Sequence, residues 1–129
     1  MPHLLLIEDD ESLVAIYKAK FEKEGFMVSA EKDGEGGLRS ALLNHPDIIL
    51  IDIKIPKMDG MMVMKKLRED KWGEKVPIII ITNFDVTDGQ ISELVEDHPA
   101  YYLFKANTTL DEMVDRVREV LETSSSERG

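Results

Sequence analysis

Ile48-Ile49-Leu50-Ile51 is a run of four aliphatic residues with no polar interruption, and Asp52 closes it. Such a run, rich in β-branched side chains, predicts a strand buried on both faces, as in the interior of a parallel sheet. The aspartate that follows is then held at the C-terminal edge of that sheet, where open α/β folds place their chemistry. Ile55-Pro56 ends regular pairing, because proline fixes φ and donates no hydrogen bond. Asp59 is placed to cap a helix, and Gly60 gives the backbone freedom to turn into it. A rigid strand thus presents one acidic side chain, and a shaped loop follows.

The same pattern recurs along the chain. Leu4-Leu5-Leu6-Ile7 is a second buried run and ends in Glu8, Asp9 and Asp10; Asp10 is placed to cap a helix striped by Leu13, Ile16, Tyr17 and Phe21. Gly25 stops that helix, and residues 26–30 predict a short strand. Asp33 caps a helix carrying Leu38, Ala41 and Leu42, which ends near His45-Pro46. Beyond Asp59 comes a helix with Met61, Val63, Met64 and Leu67, and Trp72-Gly73 marks its exit. Residues 76–81 form a fourth strand with Thr82 at its end. Thr87-Asp88-Gly89-Gln90 has capping-box spacing ahead of a fourth helix. Residues 100–104 form a fifth strand ending in Lys105, and the capping box Thr109-Leu110-Asp111-Glu112 opens a helix striped by Leu110, Met113, Val114, Val117 and Leu121. Five strand–helix pairs with short connections predict an α/β fold: a five-stranded parallel sheet, doubly wound, with five helices. One domain spans residues 1–122, and residues 123–129 read as a polar, disordered tail.

Composition narrows the function classes. The 129 residues carry 26 acidic and 16 basic side chains, a formal net charge of −10, so direct contact with nucleic acid or an anionic membrane is disfavoured. The chain has no cysteine, which excludes disulfides, thiolate nucleophiles and cysteine-ligated metals. It shows no secretory signal and no apolar run long enough to span a bilayer, so a cytoplasmic location is expected.

Four of the five strands end in a polar residue of a particular kind: Glu8 and Asp9, Asp52, Thr82, and Lys105. In a parallel sheet these ends share one edge. Each has an ordinary explanation alone, as a cap or a solvated strand end, but their joint placement points to a site. Carboxylates gathered there repel, by roughly 4 kcal/mol for two unit charges ~4 Å apart at an effective dielectric of about 20. A divalent cation resolves that repulsion, and an all-oxygen donor set favours Mg²⁺ (or Mn²⁺) over Zn²⁺. A cation, an edge aspartate, a hydroxyl and a lysine together make a phosphoryl-transfer kit. The aspartate acts as nucleophile toward phosphorus, and the metal, lysine and hydroxyl hold the transferring oxygens.

These residues resemble the receiver domain of two-component response regulators: residues 4–9 with their acid pair, the segment 52–60 with Pro56 and Gly60, Thr82 and Lys105 occur in order at fitting spacings over nearly the whole chain. The resemblance implies a flavodoxin-like fold with Asp52 as phosphoacceptor. It implies Asp9 as a direct Mg²⁺ ligand, Glu8 as a ligand through water, and the Lys54 carbonyl as the remaining protein ligand. Thr82 and Lys105 are implied to hold the phosphoryl oxygens, with Tyr102 as the aromatic that switches rotamer with Thr82. Lys54 and Phe84 lie where the family tunes phosphate lifetime. The implied phosphodonor is a sensor histidine kinase or phosphotransfer protein. The implied output is a downstream protein, an output domain or a second copy, read by the face of the fourth helix, fifth strand and fifth helix. Such a protein is mainly regulatory and catalyses its own phosphorylation and dephosphorylation.

Two departures bear on switching. The family usually has proline after the lysine, often in a cis peptide; Ala106 stands here, so a trans Lys105-Ala106 bond is expected, because cis costs ~2.5–4 kcal/mol without proline. Asn83 replaces the usual small residue after the threonine, where it crowds the phosphoryl site or adds a hydrogen bond. Two other functions compete: a degenerate receiver that binds partners without phosphorylation, and a small Mg²⁺-dependent aspartyl-phosphate phosphatase. Gly34-Glu35-Gly36-Gly37 has a phosphate-loop look but lacks GxGxxG and a following lysine–serine or lysine–threonine pair, and reads as a flexible helix start. The histidines lie away from the acidic edge, and the methionines at 58, 61, 62 and 64 read as packing and loop residues.

Overall fold

The computed structural model describes residues 1–82 and 101–128, with side chains through residue 124. Its elements are β1 (His3–Ile7), α1 (Glu11–Lys23), β2 (Met27–Glu31), α2 (Gly34–Asn44), β3 (Ile48–Asp52), α3 (Gly60–Glu69), β4 (Ile78–Thr82), β5 (Tyr101–Phe104), a 3₁₀ turn over Lys105–Asn107 and α4 (Leu110–Arg128). The helix predicted after Thr87, with Asn83 and Phe84, lies outside the described residues; α4 is therefore the helix that the sequence pattern numbers fifth.

All five strands pair in parallel in one sheet of order β2-β1-β3-β4-β5. The three unbroken aliphatic runs became its three central strands, with every residue of Leu4-Leu5-Leu6-Ile7, Ile48-Ile49-Leu50-Ile51 and Ile78-Ile79-Ile80-Ile81 buried. Alternate side chains serve opposite faces. Leu4, Leu6, Ile48, Leu50, Ile79 and Ile81 meet Tyr17 and Phe21 of α1 and Met113, Val114, Val117 and Val120 of α4. Leu5, Ile7, Ile49, Ile51 and Ile80 meet Ala41 of α2 and Val63, Met64 and Leu67 of α3. Each fully buried aliphatic side chain stabilises the fold by about 1.5–3 kcal/mol, so this two-sided core fixes the strand register and, through it, what each strand presents at its end.

Carboxylate caps start three of the helices. Asp10 Oδ1 accepts from the Ser12 and Leu13 amides at 2.9 and 3.1 Å, Asp33 Oδ1 from Gly36 at 2.7 Å, and Asp59 Oδ1 from Met62 at 2.9 Å. The reciprocal box at α4 is closed: the Thr109 amide donates to Glu112 Oε1 at 3.0 Å, and the Glu112 amide to Thr109 Oγ1 at 3.1 Å.

Several expectations are corrected. Ile16 lies on the solvent side of α1, 48% exposed, and Val14 takes its place against the core beside Leu13. Gly60 has no positive φ; its role is close approach, because a Cβ there would overlap the Asp52 carbonyl oxygen. The Gly34–Gly37 stretch is not a loose helix start, since Gly34 and Gly37 are buried and packed tightly. α4 continues through residue 128, into the stretch expected to be an irregular tail; once a helix is nucleated, each added residue needs only one more hydrogen bond, and serine and glutamate do not break it.

Candidate functional site

Between β1 and β3 the strand order reverses, and the crevice beyond their C-terminal ends is where this topology admits ligands. β1 delivers Glu8 and Asp9 there, and β3 delivers Asp52. Glu8, Asp9 and Asp52 each offer a carboxylate oxygen, and these oxygens lie within 4.8 Å of one another. Glu8 and Asp52 are buried, whereas Asp9 is exposed.

Lys105, carried in at the end of β5, ties the cluster together. Its Nζ donates to Glu8 Oε2 and to Asp52 Oδ2, both at 2.7 Å. The second oxygen of each acid is held by backbone two residues on: Asp10 N–H donates to Glu8 Oε1 and Lys54 N–H to Asp52 Oδ1, both at 3.2 Å. Both carboxylates are thus oriented before any ligand arrives. Burial pushes the Glu8 carboxyl above its ordinary value of 4.5, outweighing the hydrogen bond from Lys105, and the Asp52 charge adds to the rise. Burial acts to lower the Lys105 ammonium, but the hydrogen bonds it donates to Asp52 and Glu8, and their charges, outweigh it, so Lys105 is held protonated.

Three carboxylates facing one ammonium leave an excess of negative charge that a divalent cation would balance. Oxygen-only donors at this spacing suit a hard ion of the Mg²⁺ kind. A cleft between the β1–α1 and β2–α2 connections, lined by Glu8, Asp9, Glu11, Glu31 and Lys32 among others, continues the acidic surface outward.

The remaining site residues are distributed as follows. Thr82 is fully buried as the last residue of β4, opposite Phe104 and one step beyond the Asp52–Ile81 pair. Lys54 is exposed in the loop after β3. Tyr102 sits on β5 opposite Ile80, half-buried, with its ring edge-on to Phe104 at 5.0 Å. The Lys105–Ala106 peptide is trans, as the missing proline predicts, and the chain turns through Lys105–Asn107 with the Thr108 hydroxyl donating to the Phe104 carbonyl at 2.8 Å. Tyr101 faces α4, where the Arg116 guanidinium lies 4.5 Å from its ring centroid.

Sequence pattern missed one neighbour of the cluster. Tyr17 reads as ordinary helix stripe, yet its phenol is pushed up first by burial and then by the charges of Glu8 and Asp52, with Lys105 opposing them. The stripe pattern carries no sign of this, because it records which face of α1 is buried and not which charges lie near that face.

A five-stranded doubly wound sheet whose carboxyl edge gathers three acids around a lysine defines the class of flavodoxin-like signalling domains. The chain belongs to the response regulator receiver domain family, whose model matches residues 4–118. The DNA-binding dual master transcriptional regulator RpaA of Synechocystis is 31% identical over 123 residues, covering 94% of this chain and 49% of that protein. The chain spans about half the length of the curated relatives it matches. Among solved structures, the receiver domain of Francisella response regulator 1452 superposes with a TM-score of 0.86 at 29% identity, covering 96% of this chain and 99% of that one. The receiver domain of the Pseudomonas aeruginosa sensor histidine kinase PA1611, solved with a magnesium ion coordinated in its active-site cleft, superposes at 0.84 with 26% identity, covering 94% and 98%.

Proposed function

We propose that this receiver domain is a phosphorylation-controlled switch whose phosphoacceptor is Asp52. The observation that carries the reading is the double pairing of Lys105 with Glu8 and Asp52, beside the third carboxylate of Asp9. It leaves an oriented nucleophile next to a fixed cation and a set of oxygens suited to a second one.

In the step envisaged, a carboxylate oxygen of Asp52 attacks phosphorus as the bond from phosphorus to the donor's histidine ring nitrogen breaks. The nitrogen leaves with the bonding pair, and an acyl phosphate results. Asp9, Glu8, Asp52 and the Lys54 carbonyl would hold Mg²⁺, which when bound supplies positive charge to the transferring oxygens. Lys105 transfers its hydrogen bond from the Asp52 carboxylate to a phosphoryl oxygen, and Thr82 contributes its hydroxyl. The pull on Thr82 and the rotamer of Tyr102 then carry the change to β5 and α4. Asn83 and Phe84 belong to the same reading as residues that set phosphate lifetime. The donor is a sensor histidine kinase or phosphotransfer protein, the readout a downstream protein, output domain or second copy, and the setting the cytoplasm.

Incubation with acetyl phosphate, with and without Mg²⁺, tests the reading by intact mass. A single phosphoryl adduct that requires Mg²⁺ and disappears in Asp52→Ala is expected. An adduct that survives in Asp52→Ala would show that another carboxylate accepts the phosphoryl group. A protein that takes up none from acetyl phosphate, phosphoramidate or a phosphorylated kinase would be a phosphorylation-independent binding module.

A further inference from the structure

The glycine-rich start of α2 resembles a phosphate loop only in composition, and the site chemistry leaves it without a task. Its packing supplies one. Gly34 lies against the acceptor loop so closely that a Cβ would overlap the Met58 carbonyl oxygen, and its amide donates to the Pro56 carbonyl at 3.1 Å. One turn later, a Cβ on Gly37 would meet Ile7 Cδ1 at 2.5 Å, with Ile7 Cγ1 and Cγ2 at 2.9 Å. Ile7 is the residue before Glu8 and Asp9, and the Pro56–Met58 backbone follows Asp52 and Lys54.

The acceptor loop is stretched between fixed points on both sides of this contact. Gly60 N–H donates to the Ile53 carbonyl at 2.8 Å, and Met58 N–H to the Pro56 carbonyl at 2.8 Å. Lys57, at φ 69, is held in the left-handed region, and its ammonium lies 3.8 Å from the α2 cap carboxylate of Asp33. A loop so constrained has little room to yield sideways, so pressure from α2 moves it as a body.

We infer that the first turn of α2 is a positioning element for the acid cluster: Gly34 and Gly37 let it wedge between the end of β1 and the acceptor loop, setting the distance from Glu8 and Asp9 to Asp52 and the Lys54 carbonyl. The inference rests on the proposed Mg²⁺-dependent phosphorylation of Asp52. Gly34 and Gly37 are positioning residues that touch no reactant. Because neither lies on a strand that bears a site residue, their influence reaches the site through Ile7, Pro56 and Met58.

The test compares Gly34→Ala and Gly37→Ala with Gly73→Ala, whose Cβ would overlap the Leu67 carbonyl in the turn after α3. Calorimetric Mg²⁺ titration of the unphosphorylated protein is the readout, with thermal melting alongside. Gly34→Ala is expected to weaken Mg²⁺ at least ~10-fold, the scale typical of lost support behind metal ligands, and Gly37→Ala to weaken it in the same direction. Gly73→Ala is expected to lower the melting temperature while leaving Mg²⁺ affinity as in the parent. Equal Mg²⁺ affinity in Gly34→Ala and the parent would overturn the inference, as would an equal loss in Gly73→Ala. Should Gly34→Ala fail to fold, amide NMR of the parent decides: the Gly34 resonance is expected to shift on Mg²⁺ binding with those of the acceptor loop, and a Gly34 resonance that stays still while Asp52 and Lys54 shift overturns the inference. A parent that binds no Mg²⁺ and accepts no phosphoryl group removes the functional reading and this inference together; a parent that does both with an indifferent Gly34 removes only the inference.

Discussion

Lys105 does at single-residue scale what a bound cation does in a ligated site: it neutralises carboxylates that would otherwise face each other with water largely excluded. Removing one partner of a buried ionic cluster costs about 3–5 kcal/mol, because the other charges stay buried without compensation. Lys105→Met is therefore expected to lose stability on that scale in urea denaturation without Mg²⁺, and to recover more on adding MgCl₂ than the parent gains. Equal Mg²⁺ gains in the two proteins would argue against this. Asp52, Glu8, Asp9 and Lys105 were all legible in the sequence, because each stands at the end of a hydrophobic run and a parallel sheet aligns such ends. The charges of Glu8, Asp52 and Lys105 acting on Tyr17 were not legible, nor was the packing of Gly34 against Pro56 and Met58, because neither a helix stripe nor a glycine run says which other element packs beside it.

Helices start and stop here by rules that act within a turn, which is why their caps could be read directly. The Thr109–Glu112 box is closed in both directions, and Thr109→Ala is expected to cost about 1 kcal/mol, measured by chemical denaturation. Cap geometry also has a pH signature. The backbone hydrogen bond from Gly36 holds Asp33 below its ordinary 3.8, and that from Thr109 holds Glu112 below its ordinary 4.5. A carboxyl depressed in the folded state adds stability that is complete above its unfolded value and is lost as pH falls through its folded value. Melting temperature is thus expected to drop as pH falls from above 4.5 to below 3.8, with a shallower drop in Asp33→Asn. The misassigned stripe of α1 shows the limit of local pattern: Ile16 and Val14 are both aliphatic, and only the direction from which the sheet approaches decides which is buried.

At the scale of the whole molecule, two cores share one sheet, so a cavity on either side loosens both. Leu67→Ala, in the α2–α3 layer, is expected to cost about 2–5 kcal/mol by denaturation. A ligand of the folded state alone acts globally too: Mg²⁺ at 100 times its dissociation constant is expected to add about 2.7 kcal/mol, seen as a rise in melting temperature. That rise should vanish in Asp9→Asn. Sheet architecture was readable from the sequence because five alternations of strand and helix permit few arrangements.

The ion pairs of Lys105 reach back 97 residues to Glu8 and 53 to Asp52. During synthesis Glu8 and Asp52 leave the ribosome long before Lys105 does. A half-made chain therefore carries Glu8 and Asp52 without their counter-ion until β5 docks. On the function proposed above, stalled nascent chains are expected to take phosphoryl groups only once Lys105 has cleared the exit tunnel, because only then is the Asp52 carboxylate paired.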